Sequence, residues 1–447
     1  MKRKNTKNPH NLSPREQAYD SLLAIDREGA FSNLEIQRAL SRSLFSKPDA
    51  HLYTALVYGV LQNEMLLDDR ISKMTKPGTR LDFEVREILR IAAFQLLMMN
   101  RIPPYAAISE AVALCGKVKP KAKGFVNGVL RNMARQSEQL KRWQASDYKD
   151  AIQALSVRTS VPKPIVDIYA RAFGAKGGVR ELMAVNRPSP LTIRANGLKI
   201  SRDDLLKELA NEGIEGVKTA LSPSGIKITN ASVSELTQTQ AYTAGLFTIQ
   251  DQGAMLIAEA LSPEAGERVL DMCAAPGGKT TYLAEMMGDQ GVITARDIYP
   301  SRLKLIDNQA KLLGIGCIQT EAFDGTARKA ADHEQYDRVL LDAPCSGLGI
   351  IRRKPEIRYR FEFKKQRALI DMQRKMLINA VDALKPGGTL VYSTCTVDPK
   401  ENAEQVRWLC RNVTGLTVLN TRQIGIADDQ CDGFYYAKLV KNSAQSK

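Results

Sequence analysis

Apolar residues recur every three or four positions from Pro14 to about Arg142, a period that predicts amphipathic helices with one face in a core. Leu52, Leu56, Val60 and Leu61 share one such face, and Leu81, Val85, Ile88, Leu89, Ala92 and Leu96 share another. Pro103 and Pro104 interrupt the period, and a further helix pair follows them. Ala151 to about Asn186 is again helical, broken at Pro162 and Pro164. Met1 to His10 is basic and aperiodic and predicts a disordered arm.

The period then shortens to two. LTIRANG (191–197), GIKIT (225–229) and GLFTIQ (245–250) predict strands. SRDDLLKELANEG (201–213) predicts a helix with Ser201 as N-cap and a glycine stop, and SVSELTQTQAY (232–242) predicts another. This order suggests a small α+β unit, ferredoxin-like or RRM-like, without the aromatic signature of base stacking. From Asp251 strands and helices alternate as in a doubly wound sheet, with strands at 267–272, 291–297, 336–343 and 388–395. Helices follow from Thr280 and over Pro300–Leu313. DPKENAEQV (398–406) predicts the last helix, with Asp398 as N-cap, Pro399 in first position and Glu401 completing a capping-box-like pair.

Three stretches stand out: VLDMCAAPGGK (269–279), LLDAPCSG (340–347) and LVYSTCT (390–396). Each is a short apolar run that ends at an acid or cysteine and opens into a turn of small residues. That pattern predicts buried parallel strands delivering functional groups at their carboxyl ends, where open α/β sheets bind ligands.

Charge changes the picture more than composition does. The 447 residues carry 64 Lys and Arg against 49 Asp and Glu, a formal net charge of +15. Residues 1–150 hold 25 of the bases and 16 of the acids. The excess favours a polyanionic partner such as a nucleic acid. Met1 to Asp20 lacks the apolar core of a secretory signal, and Ile91 to Met99 is too short to span a bilayer, so the expectation is a cytoplasmic chain without a membrane partner. Seven cysteines with no C-x-x-C pair argue for a reducing compartment and against disulfides or a zinc site; no metal is expected. With only His10, His51 and His333 present, chemistry must fall to Cys and Asp.

The loop AAPGGKT has neither the spacing of a P-loop, because Cys273 stands where a glycine is needed, nor a G-x-G-x-x-G fingerprint. It remains a tight glycine turn between a first strand and a helix N-terminus. Asp297 ends the next strand twenty residues after Gly277, where a carboxylate can take both hydroxyls of a ribose. Asp324 and Asp342 end two further strands, and with Asp271 they make a carboxylate-rich edge. Such an edge suits a cofactor that bears a cationic sulfonium and an amino group and lacks phosphate.

Cys345 and Cys395 close strands on the same edge, whereas Cys115, Cys317 and Cys410 read as small apolar residues. Amino-directed nucleic-acid methyltransferases carry an acid-Pro-Pro-aromatic motif at the fourth strand; here the run is Asp342-Ala343-Pro344-Cys345, with a thiol in the aromatic position. A thiol there points to C5 of a pyrimidine. That carbon is too weak a nucleophile until a thiolate adds at C6 and makes the ring an enamine. Protonation at N3 favours the addition, and Asp342 is placed for it. A base must then remove the C5 proton so that the thiol can leave. Three rivals stay open at this point: a DNA cytosine-5 methyltransferase attacking through Cys345, a non-catalytic RNA-binding assembly factor, and a small-molecule methyltransferase.

Two resemblances sharpen these expectations. RIPPYAAISEAVALCGKVKPKAKGFVNGVLRNM (101–133) resembles the closing helices of the all-α, RNA-binding NusB fold. It implies a packing role for Gly124 and Gly128 and phosphate contacts for Lys117, Lys119, Lys121, Lys123 and Arg131. DMCAAPGGKT, FDG, DAPCSGLG with IRRKPEIRY, and YSTCTVDPKENAEQV together resemble the NOL1/NOP2/Sun family of RNA cytosine-5 methyltransferases, in its RsmB (Fmu/Sun) branch acting on bacterial 16S rRNA. The resemblance implies Cys395 as nucleophile and Cys345 in product release. It implies that Cys273, Ala274, Ala275, Pro276, Gly277, Gly278, Lys279, Asp297, Asp324 and Asp342 hold S-adenosylmethionine, and that Arg352, Arg353 and Lys354 meet phosphates.

The expected architecture is an all-α NusB-like domain at 1–145 and a helical linker with the ferredoxin/RRM-like unit at 146–240. A Rossmann-like S-adenosylmethionine-dependent methyltransferase domain follows at 241–447. The expected partner of a monomeric enzyme is 16S rRNA or a small-subunit assembly intermediate.

Overall fold

The computed structural model describes residues 12–443; the arm expected over Met1–His10 lies outside them. The chain forms two compact units. One comprises the residues up to Ala170 together with Ile351–Arg360, the other Arg171–Ile350 together with Phe361–Lys447.

The first unit is helical, with long helices at Pro14–Glu28, Lys47–Ser72, Phe83–Met98, Pro104–Val118 and Lys123–Arg135. Ser13 and Glu16 form a reciprocal capping box at its start. Leu56, Val60, Leu61, Val85, Ile88, Leu89, Ala92 and Leu96 are buried in a single core, with Leu52 and Leu81 packed at its margin. The expected packing role of Gly124 and Gly128 is not met: both are exposed, and a Cβ at either would touch nothing within 4 Å. The close helix approach is instead at Gly59, where a Cβ would lie 2.0 Å from the ring of Phe94. Ile351–Arg360 is bedded among these helices. Glu356 accepts from Ser32 N at 3.1 Å and Oγ at 2.7 Å, and fully buried Arg358 donates to Thr159 O at 3.0 Å. Tyr359 donates to Leu61 O at 2.9 Å.

The second unit holds two sheets. The smaller contains β1 (Leu191–Ala195), β2 (Gly216–Lys218), β3 (Gly225–Ile228) and β4 (Phe247–Ile249) in the order β2-β3-β1-β4, with every pairing antiparallel. With helix Arg202–Asn211 capped by Ser201, this is a ferredoxin-like β-α-β-β-α-β unit. The three-residue β2 carries too short an alternation to be read from sequence. The single helix expected over 232–242 is two, Val233–Leu236 and Gln240–Thr243, because Thr239 caps a new start.

The larger sheet contains β5 (Arg268–Asp271), β6 (Val292–Asp297), β7 (Ile318–Ala322), β8 (Tyr336–Asp342), β9 (Leu384–Thr394), β10 (Leu416–Ile424) and β11 (Phe434–Lys441). Their order is β10-β11-β9-β8-β5-β6-β7. β5 to β9 are mutually parallel, and β10 and β11 are antiparallel additions. The chain runs outward from β5 to β7, then crosses back to β8, so the strand order reverses between β5 and β8. Asp271 and Asp342 end those two strands, on either side of the crevice where doubly wound sheets bind ligands.

The last expected helix starts late, at Ala403 with Asn402 as N-cap. Asp398 Oδ1 accepts from Lys400 N at 3.0 Å and Glu401 N donates to Asp398 O at 3.0 Å, making a turn in place of a first helical turn. The side chain of Glu401 is drawn away to Ser346.

Candidate active site

The turn after β5 sets one wall of the site. Gly277 holds φ +109°, a left-handed conformation that L side chains rarely adopt, and a Cβ there would press on Ile306 at 3.2 Å. The helix Gly278–Met286 starts from it. Asp271 is buried, its Oδ2 accepts from Thr280 Oγ1 at 2.8 Å, and burial pushes its carboxyl up to about 7 against that hydrogen bond.

The other acids stand along the same edge. Asp297 Oδ1 accepts from Tyr299 N at 3.0 Å, and its Oδ2 pairs with Arg302 at 2.9 Å. Asp324 is exposed and is held below the ordinary aspartate range by the backbone N–H and hydroxyl of Thr326. Asp342 Oδ1 accepts from Ser393 Oγ at 2.8 Å, and its Oδ2 from Lys279 Nζ at 2.7 Å. Burial opposes the charge of Lys279, but Asp342, with Cys395 beside it, outweighs burial and raises the ammonium above the ordinary lysine range.

The two cysteines meet. Cys345 Sγ and Cys395 Sγ are 3.3 Å apart, and both thiols are free. The hydrogen bond to Cys395, followed by burial, holds the Cys345 thiol well above the ordinary range. The loop beyond Cys345 is tied under Cys395 by Gly349, whose N–H donates to Cys395 O at 2.9 Å. Of the other expected apolar cysteines, Cys115 is buried and Cys317 half-buried; Cys410 is exposed, on the outer face of helix Ala403–Asn412.

One cavity of about 460 Å³ is lined by Cys273, Ala275, Asp297, Asp324, Asp342, Cys345 and Cys395, among others. A smaller one of about 190 Å³ shares Cys273, Ala275 and Asp342 with it and adds Asp271, Ala274, Pro276, Gly278 and Lys279. Gly277 lines neither and serves the turn. The smaller cavity also shows a residue that sequence reading missed. Gln250 lines it and is buried, and its Nε2 has no hydrogen-bond partner. Its Oε1 accepts from Arg194, a fully buried arginine that also donates to Gly278 O at 2.7 Å and Glu285 Oε1 at 2.5 Å. Asp271 Oδ1 is likewise buried without a partner. An orphaned donor and an orphaned acceptor in one cavity suit a ligand end that carries both a carboxylate and an ammonium, and the acids along the edge suit a cation and a ribose. Among the described residues no group of three or more His, Cys, Asp or Glu is arranged to hold a metal.

Of the basic residues expected to meet phosphates, Lys117 pairs with Glu16 at 2.6 Å and Lys119 with Asp82 at 3.0 Å. Lys123 and Arg131 line a groove of about 530 Å³ in the helical unit beside exposed Tyr105. Arg352 is buried, which removes it as a phosphate contact, and Lys354 lies 5.5 Å over the ring of Phe31. No helix among the described residues is long and apolar enough to cross a membrane.

Known proteins share this layout. Residues 258–440 match the model of the family described as 16S rRNA methyltransferase RsmB/F, residues 12–135 that of the NusB family, and residues 162–234 that of the RsmF/B-like ferredoxin-like domain. The probable ribosomal RNA small subunit methyltransferase B of Bacillus subtilis (strain 168) is 37% identical over 88% of this chain and 87% of its own. Ribosomal RNA small subunit methyltransferase B of Klebsiella pneumoniae (strain 342) is 35% identical over 89% and 91%. A crystal structure of a methyltransferase homolog protein from Pyrococcus horikoshii is 30% identical, with a TM-score of 0.59 over 66% of this chain and 100% of that one.

Proposed function

The chain belongs to the 16S rRNA methyltransferase RsmB/F family, and on that premise we propose that it methylates C5 of one cytosine in 16S rRNA while Cys395 is bonded to C6. It is an S-adenosylmethionine-dependent methyltransferase of small-subunit ribosomal RNA. The observation that carries the finer reading is the thiol pair, 3.3 Å apart, on the wall of the cavity that the strand-end acids line.

When bound, S-adenosylmethionine supplies the methyl group that C5 receives. Asp297 takes the ribose hydroxyls, Asp324 lies further along the same wall, and the turn Cys273–Lys279 closes over the cofactor. Gln250 and Asp271 receive its carboxylate and ammonium. For the target base, Cys395 Sγ adds to C6 as the thiolate, and the displaced ring electrons settle at N3, where the Lys279–Asp342 pair delivers a proton. The enamine so formed makes C5 the nucleophile. Once C5 carries its methyl group it gives its proton to solvent water; that C–H pair re-forms the ring double bond, the C6–S pair returns to Cys395, and N3 hands its proton back to the Lys279–Asp342 pair. We assign this release to Cys345. The helical domain 1–145 captures RNA through Lys121, Lys123 and Arg131, the ferredoxin-like segment 146–240 follows it, and 241–447 carries out the chemistry. The substrate is naked 16S rRNA or an assembly intermediate, met in the cytoplasm, where free thiols persist.

A denaturing gel of wild type, Cys345→Ala and Cys395→Ala, each incubated with labelled 16S rRNA and S-adenosylmethionine, tests the reading. The expected result is a slow-migrating protein–RNA adduct in Cys345→Ala alone. An adduct in Cys395→Ala would reverse the two roles, and the absence of both adduct and methyl transfer in all three would point to another substrate or to a non-catalytic RNA-binding role.

A further inference from the structure

Glu401 reads from sequence as a helix-capping residue, and its environment is something else. Its side chain is fully buried. Oε2 accepts from Ser346 N at 2.9 Å and from Gln373 Nε2 at 3.1 Å, and Oε1 accepts from Ser346 Oγ at 2.5 Å. Gln373 Nε2 also donates to Pro344 O at 2.9 Å, and Gln405 Nε2 fixes that amide by donating to Gln373 Oε1 at 3.0 Å. The residues on both sides of Cys345 are therefore tied to one carboxylate, Ser346 directly and Pro344 through Gln373. The opposite turn joins them: Ser346 Oγ is 2.8 Å from Thr396 Oγ1, the residue after Cys395. Tyr392 on β9 donates to the carbonyl of Glu401 itself at 2.5 Å.

We propose that Glu401 is a positioning residue that holds the Cys345 turn against Cys395 and thereby sets the rate of product release. This rests on the reading of Cys345 given above. The two carboxylate oxygens accept three donors at once; an amide keeps one acceptor and turns an NH2 group towards Ser346 Oγ, which must then reverse its role, and the charge-assisted bonds are lost. Glu401 does not reach either sulfur, so its action is on where Cys345 stands. The hydrogen bond to Cys395 and burial push the Cys345 thiol up, and the buried carboxylate of Glu401 adds to them.

The test compares Glu401→Gln, Ser346→Ala and Cys345→Ala with wild type, using labelled 16S rRNA in single-turnover and steady-state assays with a denaturing gel. Glu401→Gln is expected to methylate up to one RNA per enzyme, to lose roughly tenfold in kcat with KM for RNA unchanged, and to accumulate the protein–RNA adduct. Ser346→Ala, which keeps the backbone N–H contact, is expected to accumulate less adduct than Glu401→Gln and more than wild type. If Cys345→Ala traps RNA and Glu401→Gln loses kcat without trapping it, the positioning role is overturned while the cysteine roles stand. If Cys345→Ala traps nothing, those roles fail and the inference falls with them. Should Glu401→Gln not fold, Ser346→Ala decides: no adduct above wild type overturns the proposal.

Discussion

Lys279 Nζ donates to Asp342 Oδ2 at 2.7 Å, and this bond joins the turn after β5 to the end of β8 across the point where the strand order reverses. A lysine there neutralises Asp342 and keeps a proton at the edge where, on the proposed route, the target ring receives one. Lys279→Met removes both. The expected outcome is a loss of methyl transfer of about 100-fold or more, the range of a displaced proton-transfer group, with RNA binding by filter retention little changed. Wild-type rates from that variant would remove the pair from the chemistry.

Asp271 predicts a pH dependence. Its folded carboxyl, at about 7, lies above the ordinary aspartate value of 3.8, so between those values the folded chain holds a proton that the unfolded chain has released. The stability this gives is full below 3.8 and is lost as pH rises through about 7, at up to about 1.4 kcal/mol per pH unit. Thermal melts of the cofactor-free protein from pH 4 to pH 8 should fall more steeply for wild type than for Asp271→Asn. Parallel curves would show that Asp271 is not protonated in the fold.

Arg194 links the ferredoxin-like sheet to the turn after β5. It is fully buried and bonds Glu285, Gln250 and the carbonyl of Gly278. Arg194→Met strands the charge of Glu285 and should cost about 3–5 kcal/mol in urea unfolding. Adding Glu285→Leu should recover much of that loss. S-adenosylmethionine affinity, measured by calorimetry, should stay reduced in the double variant because Gln250 has lost its anchor.

Gly349 admits no side chain. A Cβ there would lie 1.9 Å from Gly433 O and 2.8 Å from Cys395 O. Gly349→Ala must push these backbones apart, costing about 1–3 kcal/mol or more, and it displaces the loop that carries Cys345. Methyl transfer should drop further than the shift in melting temperature alone explains.

The strand ends were legible because buried parallel strands announce themselves as apolar runs, and the acids and thiols that close them stand next in sequence. Asp271, Asp297, Asp342, Cys345 and Cys395 could be named on that ground. Arg194, Gln250 and Glu401 could not, since each is defined by a partner dozens of residues away. Glu401 misleads for a physical reason: Ser346, far off in sequence, offers its carboxylate two donors, and the local helix start yields to them. The exposed glycines Gly124 and Gly128 show the converse, small residues on a helix that mark no contact.

The ten residues Ile351–Arg360 belong to the helical unit, yet they follow β8 and the Cys345 turn in the chain. A ribosome delivers residues in order, so the bed prepared by Ser32, Leu61 and Thr159 waits for Glu356, Tyr359 and Arg358 until the parallel sheet has most of its strands. The amino-terminal unit is begun first and completed late, and a nascent chain that stops short of Arg360 leaves it unfinished.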